Sequence, residues 1–446
     1  MFPTPSSYIK NTCISHTTTH SAMDITTPWL ELIGSKNWEG LLDPFDINLR
    51  TLILRCGDFC QATYDAFNND SNSKYAGSSR YGKRSFFHKV NLRPSPNDYQ
   101  VAYFIYGTAK ISIPAAFFLH SLSREAWDRE SNWIGYIATT TDEVSKALGR
   151  REIYLVWRGT QRDLEWINVY GASSVSAESL LRQKTFKPPT TENTDVGGSS
   201  SDSDDDNDEV GGNDGKPMVM RGWLTIYTSY NPNSSFTKVS ARTQVLASIK
   251  QLVEKYKNEE VSIIVTGHSL GASLATLSAF DLAENGITNV PVTAFVFGSP
   301  QVGNRAFNNR LNQFPNVKLL HIRNKIDLIP LYPSKLLGYV DSGVQFEIDS
   351  RKSGNLKRST NTGDWHNLQG MLHVVAGWNG EDGEFELKVP RSLALVNKSS
   401  GFLKDEYLIP ESWWIEKNKG MVMDENGEWA LQSPDEEDIP VPEFAE

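Results

Sequence analysis

Residues 261–280 read VSIIVTGHSLGASLATLSAF, and this stretch decides the fold. The apolar, β-branched run at its start is typical of a buried strand, and the small residues after Gly271 predict a closely packed helix. Between them, residues 267–271 (GHSLG) fit the pattern G-x-S-x-G, in which a tight strand-to-helix turn presents a serine hydroxyl at the carboxyl edge of a sheet. Ser269 is therefore the predicted nucleophile, although a serine at this place could also only cap the helix.

Strands and helices alternate along the chain on both sides of this stretch. Segments enriched in Val, Ile, Tyr and Trp predict strands, and segments that are apolar at helical spacing predict helices. Strands are predicted at 99–108, 132–140, 151–159, 261–267, 292–298 and 317–323, and helices at 237–260, from Leu270 onward and at 305–314. Such alternation implies right-handed βαβ crossovers, so the predicted fold class is α/β, with a mainly parallel central sheet flanked by helices.

Composition divides the 446 residues into one folded domain and three segments that lack a hydrophobic pattern. The domain is predicted at 23–430, with a disordered leader at 1–22, a disordered acidic insert at 191–215 and a flexible acidic tail at 431–446. The insert holds nine acids and no Lys or Arg, so it carries most of the net charge of −10. Because the rest of the chain is nearly neutral, its composition does not indicate a basic surface for nucleic acid.

The cysteines indicate a reducing environment. Only three occur, Cys13, Cys56 and Cys60, and the last two lie four residues apart on one face of a predicted helix. That pair could bind a metal ion, but no further cysteine or nearby histidine completes a set of ligands, so buried reduced thiols are the better interpretation. So few cysteines over this length favour a cytoplasmic location.

A serine hydroxyl needs a base to take its proton and an acid to orient that base. In hydrolases with the G-x-S-x-G turn, the three residues follow the chain order serine, acid, histidine. Asp327 lies just past the predicted strand at 317–323, at the edge of the sheet where loops reach the active site. Asp327 is therefore the predicted acid.

Three histidines follow the G-x-S-x-G turn: His321, His366 and His373. His321 lies inside an apolar strand, which indicates a buried structural residue. His366 and His373 are seven residues apart in DWHNLQGMLHVVAGW and could share a helix face, so spacing alone does not choose between them. His366 begins that stretch, where a side chain can lean into a cleft, whereas His373 is embedded in MLHVV. His366 is the predicted base.

The same chemistry needs hydrogen-bond donors for the oxyanion that develops on the substrate carbonyl. The backbone N–H of Leu270, the residue after the nucleophile, is the first predicted donor. A second is expected from a loop after an earlier strand, and IYLVWRGTQ offers the backbone and hydroxyl of Thr160, with Gly159 allowing close approach.

These motifs resemble the fungal-type lipase family (lipase class 3) and, within it, the plant phospholipase A1 class II group. The resemblance extends from Met23 to about Met423 and rests on VWRGTQ, RGWLTIYTS, VTGHSLGASLATL, VFGSPQVGN, NKIDLIP, DWHNLQGMLHVVAGW and LALVNKSSGFLKDEYLIPESWW. It implies an α/β-hydrolase fold with a Ser–Asp–His triad that is independent of metal and cofactor. It also implies that His366 is the base and that Thr160 is the oxyanion residue.

The resemblance further implies hydrolysis of the sn-1 fatty-acyl ester of phospholipids, such as phosphatidylcholine, through an acyl-enzyme. The substrate would be met at a membrane surface that the protein touches peripherally, with residues 161–182 as a lid. A mono- or diacylglycerol lipase with little phospholipid activity is one alternative. The other is a catalytically silent, hydrolase-like signalling protein, although Ser269, Asp327 and His366 are all present. The oligomeric state is left open.

Overall fold

The computed structural model describes residues 27–92, 95–108, 119, 122–123, 131–160, 173–181 and 215–414, together with the backbone of 421–423 and 429–431. The predicted leader lies outside these residues, as do the acidic insert apart from Gly215, the acidic tail apart from Leu431 and most of the predicted lid. Within the described ranges, no helix is both long enough and apolar enough to cross a bilayer.

The described strands form three sheets of seven, four and two strands. In chain order they are β1 (Tyr99–Gly107), β2 (Asn132–Thr140), β3 (Arg151–Trp157), β4 (Ser174–Ser176), β5 (Met218–Met220), β6 (Val261–His268), β7 (Val292–Phe297), β8 (Gly303–Asn304), β9 (Val317–Asn324), β10 (Tyr339–Val340), β11 (Val344–Ile348), β12 (Met421–Met423) and β13 (Trp429–Leu431).

The described α-helices pack on the two faces and along the edges of the largest sheet. They are α1 (Trp29–Leu32), α2 (Ile47–Ala66), α3 (Phe86–Lys89), α4 (Asp142–Leu148), α5 (Arg221–Thr228), α6 (Ala241–Lys255), α7 (Leu270–Glu284), α8 (Arg305–Leu311), α9 (Thr362–Trp365) and α10 (Leu368–Gly377).

The seven-stranded sheet has the order β1-β2-β3-β6-β7-β9-β11, and its strands from β3 to β11 are parallel. This mainly parallel sheet, covered by helices, confirms the predicted α/β-hydrolase fold. Because β3 pairs directly with β6, residues from before and after the acidic insert share one sheet.

The first three strands depart from the predicted crossovers. β2 is antiparallel to both β1 and β3. The connection from β2 to β3 holds only α4 and a left-handed Gly149, with φ +68°. A parallel crossover needs about a dozen residues or more, so this short connection returns the chain in the opposite direction.

The strand β6 is buried on both faces of the sheet. Ile264 faces a hydrophobic cluster built with α2 and α10, whereas Ile263 and Val265 face a second cluster built with α5, α6 and α7. A strand that is buried on both faces carries a continuous apolar run instead of an alternating one. That requirement explains the sequence VSIIV and places the end of β6 in the middle of the fold.

Two features of the fold were not predicted from sequence. β4, β5, β8 and β10 form a small antiparallel sheet, whose strands of two or three residues are too short to show a periodic pattern. The stretch DWHNLQGMLHVVAGW is also not one helix, because α9 ends at Trp365 and α10 begins at Leu368. The side chain of Asn367 caps α10 by accepting from the N–H of Gly370 at 2.7 Å.

Candidate active site

Ser269 stands alone between β6 and α7, in a strained backbone conformation. Its φ of +60° and ψ of −130° are unusual for a residue with a Cβ atom. A Cβ at Gly267 would lie 2.2 Å from the carbonyl oxygen of Gly271, and a Cβ at Gly271 would lie 2.7 Å from that of Trp157. Both glycines are therefore needed for the turn to pass so close to its neighbours.

The side chain of Ser269 does not cap α7. It makes no capping hydrogen bond, and its Oγ is buried without a hydrogen-bond partner among the described residues. The backbone of the same residue is held, because its N–H donates to the carbonyl of Phe297 at 3.0 Å. An unpartnered buried hydroxyl and a strained backbone at one residue both cost free energy, and a structural role does not explain the two together.

Asp327 and His366 lie in direct contact, with 2.6 Å between Asp327 Oδ2 and His366 Nδ1. Asp327 follows β9 and is fixed through its other oxygen, which accepts from the N–H of Ile329 at 2.9 Å. His366 occupies the break between α9 and α10 and is 6% exposed. Asn324 at the end of β9 donates to the carbonyl of Trp365 at 2.8 Å, which ties this break to the strand that carries Asp327.

The second ring nitrogen of His366 is left open. His366 Nε2 is buried and has no hydrogen-bond partner within the described residues. With Nδ1 bonded to a carboxylate, Nδ1 carries the proton and Nε2 presents a lone pair. An imidazole in this state can take a proton from a hydroxyl beside it.

The Phe297–Gly298 segment contacts both the serine and the histidine. Phe297 accepts from the Ser269 N–H, and Gly298 lies against the ring of His366. A Cβ at Gly298 would be 2.8 Å from His366 Cε1 and 3.1 Å from Asp327 Oδ2, and its φ is +53°. Gly298 was not singled out from sequence, since a strand-ending glycine alone does not reveal what lies beside it.

The predicted oxyanion donors leave adjacent strands at one edge of the sheet. Trp157 of β3 pairs with Gly267 of β6, and Thr160 and Leu270 each follow three residues later. Leu270 begins α7, so its N–H is among those that have no acceptor within the helix. Thr160 is half-buried.

A hydrogen-bonded chain that sequence reasoning missed links Gly159, in the loop of the predicted oxyanion residue Thr160, to the predicted base. The hydroxyl of Tyr64, on α2, lies 2.7 Å from His268 Nδ1 and is also bonded to the backbone of Gly159. On the other side of the ring, His268 Nε2 lies 2.9 Å from the carbonyl oxygen of His366. Burial, and then the neighbouring His366, lowers the pKa of His268 well below 6.5, so this imidazole stays neutral.

The other two candidate histidines lie in the core. His321 accepts the N–H of Ser299 at 2.9 Å, as its place inside β9 predicts. His373, in the middle of α10, lies 2.8 Å from Ser353 Oγ and packs on Phe385. Of the histidines weighed as the base, His366 is the one that the structure brings to Asp327.

The part of the chain that the structure describes contains no set of ligands for a metal ion. No group of three or more His, Cys, Asp or Glu side chains is arranged to hold an ion there. Cys56 and Cys60 are buried free thiols on α2, and Cys60 Sγ lies 3.2 Å from Thr266 Oγ1.

Comparison with known proteins finds similar lipases and phospholipases. Residues 154–337 match the family "Lipase (class 3)". The chain is 59% identical to phospholipase A1-IIdelta of Arabidopsis thaliana over 94% of this chain and 99% of that protein. It is 51% identical to phospholipase A1-II 5 of Oryza sativa subsp. japonica, over 93% of this chain and 85% of that protein.

Among solved structures, a Rhizomucor miehei lipase in complex with its propeptide aligns with a TM-score of 0.38 and 16% identity, over 68% of this chain and 68% of that chain. The fold assignment rests on the strand order of this chain and not on that similarity.

Proposed function

Because the chain belongs to the plant phospholipase A1-II family, within the lipase (class 3) group, and is a carboxylic ester hydrolase, we propose that it cleaves the sn-1 fatty-acyl ester of phospholipids such as phosphatidylcholine. The observation that carries the proposal is the pair of unpartnered buried atoms, Ser269 Oγ and His366 Nε2. The backbone of Ser269 and the ring of His366 both contact the Phe297–Gly298 segment, and Asp327 orients the imidazole. A hydroxyl and a base held in this way suit acyl transfer.

In the first half of the proposed reaction, His366 Nε2 takes the proton of Ser269 while Oγ bonds to the carbonyl carbon of the ester. The carbonyl oxygen becomes an oxyanion, to which Leu270 and Thr160 donate. His366 then gives the proton to the glycerol oxygen as the ester C–O bond breaks. A lysophospholipid leaves, and the acyl group stays on Ser269.

In the second half, water attacks the acyl-enzyme. His366 takes a proton from the water, the new oxyanion is held by the same donors, and the proton returns to Ser269 Oγ as the fatty acid leaves. Asp327 keeps Nδ1 protonated and stabilises the imidazolium that forms in each half.

The substrate would be reached by peripheral contact with a membrane. The acidic insert at 191–215 would repel an anionic surface, which favours neutral lipids such as phosphatidylcholine. A cytoplasmic location is part of the same proposal, and the buried free thiols Cys56 and Cys60 support it. Imaging a fluorescent fusion of the full chain tests the location, and a signal confined to an oxidising compartment would contradict it.

The proposal is tested with phosphatidylcholine that carries different acyl chains at the two positions, and with products resolved by mass spectrometry. Release of the sn-1 acid is expected, and Ser269→Ala should abolish it. Ser273→Ala is the matched control, because Ser273 lies in the first turn of α7, four residues from Ser269, and its buried hydroxyl also has no partner among the described residues. Full activity of Ser269→Ala would overturn the proposal, and hydrolysis of acylglycerols alone would replace the substrate class.

A further inference from the structure

Exposed apolar side chains are concentrated in one short segment of the described chain. Leu328, Leu331, Leu336 and Leu337 are 52%, 54%, 96% and 58% exposed. These four, named here the leucine ridge, are four of the ten large apolar side chains that lie exposed in the described ranges, and they fall within ten residues. Contiguous exposed apolar residues mark interaction sites more often than scattered ones do.

The backbone that carries the ridge is held in place. Ile329 and Pro330 are buried between the first two leucines, so Leu328 and Leu331 are directed outward from an anchored turn. The carbonyl of Tyr332 accepts from the N–H of Gln301 at 2.7 Å. Ser334 Oγ accepts from the N–H of Leu336 at 3.2 Å and fixes the second turn. The exposure therefore belongs to an ordered surface.

The ridge lies on the side of the molecule where the ester would be cleaved. Leu328 follows Asp327 directly, and Asp327 comes just after the carboxyl end of β9. β6 is joined to β9 through β7 in parallel register, so Ser269 follows a strand end at the same edge. A surface that docks through the ridge would bring this edge against its partner.

A cleft whose charged lining residues are mostly cationic adjoins the ridge. Leu328 and Leu331 form part of the wall of a cavity of about 870 Å³, whose lining contains seven Lys or Arg residues but only two carboxylates, Asp327 and Glu347. Both carboxylates are already engaged, Asp327 by His366 and Glu347 by Arg323 at 2.8 Å. Arg358 on the rim is exposed, with no ion pair among the described residues.

Acidic side chains outside the lining pair with four more of these cations, which are Lys325, Arg351, Lys357 and Lys404. Lys357, for example, pairs with Asp405 at 2.7 Å, and Asp405 is 90% exposed. Exposed ion pairs of this kind are weak, so a phosphate can take the place of the carboxylate at little cost. Cations that can exchange an acidic partner for a phosphate, beside exposed acids that can meet a cationic headgroup, complement a zwitterionic lipid surface.

We propose that the leucine ridge is the surface through which this protein docks on zwitterionic phospholipid bilayers, with its leucines in the acyl region and the adjoining cationic cleft at the level of the phosphates. The inference rests on the proposed function, since a phospholipid substrate is the reason for docking, but the test below measures only membrane binding. Aromatic and aliphatic side chains on one face, next to basic residues, are the usual composition of such an interfacial contact. The ridge lies outside residues 161–182.

The test compares two variants of equal added charge in the Ser269→Ala background, which is expected to be catalytically silent. Leu336→Asp/Leu337→Asp changes the ridge at the two positions farthest along the chain from Asp327. Leu30→Asp/Ile47→Asp is the control, in which two residues that are 42% and 48% exposed are changed.

The control residues lie at the opposite edge of the sheet. Leu30 belongs to α1, whose end is bonded to Thr293 at the start of β7. Ile47 begins the 20-residue helix α2, about 30 Å long, whose other end carries Tyr64 beside His268.

Co-sedimentation with phosphatidylcholine vesicles, and the thermal unfolding midpoint of each variant, are then measured. The ridge variant is expected to partition into vesicles about tenfold or more weakly, since two leucines lose their burial in the bilayer, while the control stays within about twofold. Equal vesicle binding by a folded ridge variant would overturn the inference. So would a ridge variant that binds vesicles normally but loses self-association in analytical ultracentrifugation, because the ridge would then join copies of this chain. Because the readout is vesicle binding and not hydrolysis, neither result depends on whether phosphatidylcholine is the substrate.

Discussion

His268 Nε2 donates a hydrogen bond to the backbone carbonyl of His366 over 2.9 Å. A carbonyl only accepts, so the proton of the neutral His268 ring is on Nε2, and Nδ1 must accept from the hydroxyl of Tyr64. The neighbour of the predicted nucleophile thereby holds the backbone of the predicted base. Because burial keeps the pKa of His268 low, this link is neutral and does not compete with His366 for the proton of Ser269.

Tyr64→Phe is expected to lower kcat by roughly tenfold while KM changes little, because the imidazole of His268 loses the donor that fixes its tautomer. The added loss should be largest at acidic pH, since a freed Nδ1 accepts a proton more readily. Kinetics over pH 5–8 give the measurement. Tyr136→Phe is the control, since its buried hydroxyl donates to the carbonyl of Phe59 at 3.0 Å and should cost a similar ~1 kcal/mol of stability without the effect on kcat. Equal kinetics of the two variants would reduce Tyr64 to a structural role.

Gly298→Ala is expected to lower kcat by about a hundredfold or more, because the new methyl group would displace the ring of His366. The positive φ of this position adds a strain of about 1 kcal/mol, which must be separated from the displacement. Gly149→Ala provides that separation, since Gly149 has φ +68° with no atom within 4 Å of the added Cβ. Melting temperatures and kcat of both variants should show a shared loss of stability and a loss of activity in Gly298→Ala alone.

Thr160→Val and Thr160→Ser together show whether the hydroxyl of Thr160 contributes to the oxyanion hole. Loss of one donor at such a site costs about 10²–10³ in kcat, so the valine variant should fall by that factor while the serine variant stays near the wild type. Hydrolysis of a short-chain ester under saturating conditions gives kcat directly. If the valine variant keeps full activity, the donor is the backbone N–H of Thr160 or lies elsewhere.

Stability should fall as the pH falls from about 6.5 to about 4. Burial, and then the nearby Arg391, lowers the pKa of His373 to about 4, and burial, followed by Arg323, does the same for His321. In this window the unfolded chain binds protons that the folded chain does not. Each histidine therefore removes about 1.4 kcal/mol of unfolding free energy per pH unit.

Urea unfolding at pH 7 and pH 5 measures this dependence, and His373→Gln should reduce it. An unchanged difference between the two pH values in that variant would show that His373 does not titrate as described.

The local parts of the fold could be predicted from sequence because each has a periodic or steric signature. The run VSIIV is apolar throughout because β6 is buried on both faces, and Gly267 and Gly271 are glycines because backbone atoms lie where a Cβ would be. The chain order of serine, acid and histidine then limited the candidates to a few residues. The roles of Ser269, Asp327 and His366 stay predictions until their variants are measured.

What sequence could not supply are contacts between distant residues. Tyr64 lies 204 residues before His268, on a helix whose apolar pattern says only that it is buried. The break at His366 was also hidden, since the apolar spacing continues from α9 into α10 and only the cap of Asn367 marks it. The short strands β8 and β10 depend on pairing with each other and not on their own propensity.

The pairing of β3 with β6 has a practical consequence. A cut anywhere between residues 191 and 215 would place β3 in one fragment and β6 in the other, and each fragment would keep only part of both hydrophobic clusters. Each half would then expose an unpaired strand edge and aggregate alone. Produced together, the halves should rebuild the sheet by fragment complementation, so that ester hydrolysis becomes a reporter of any two proteins fused to them that bring the halves into contact.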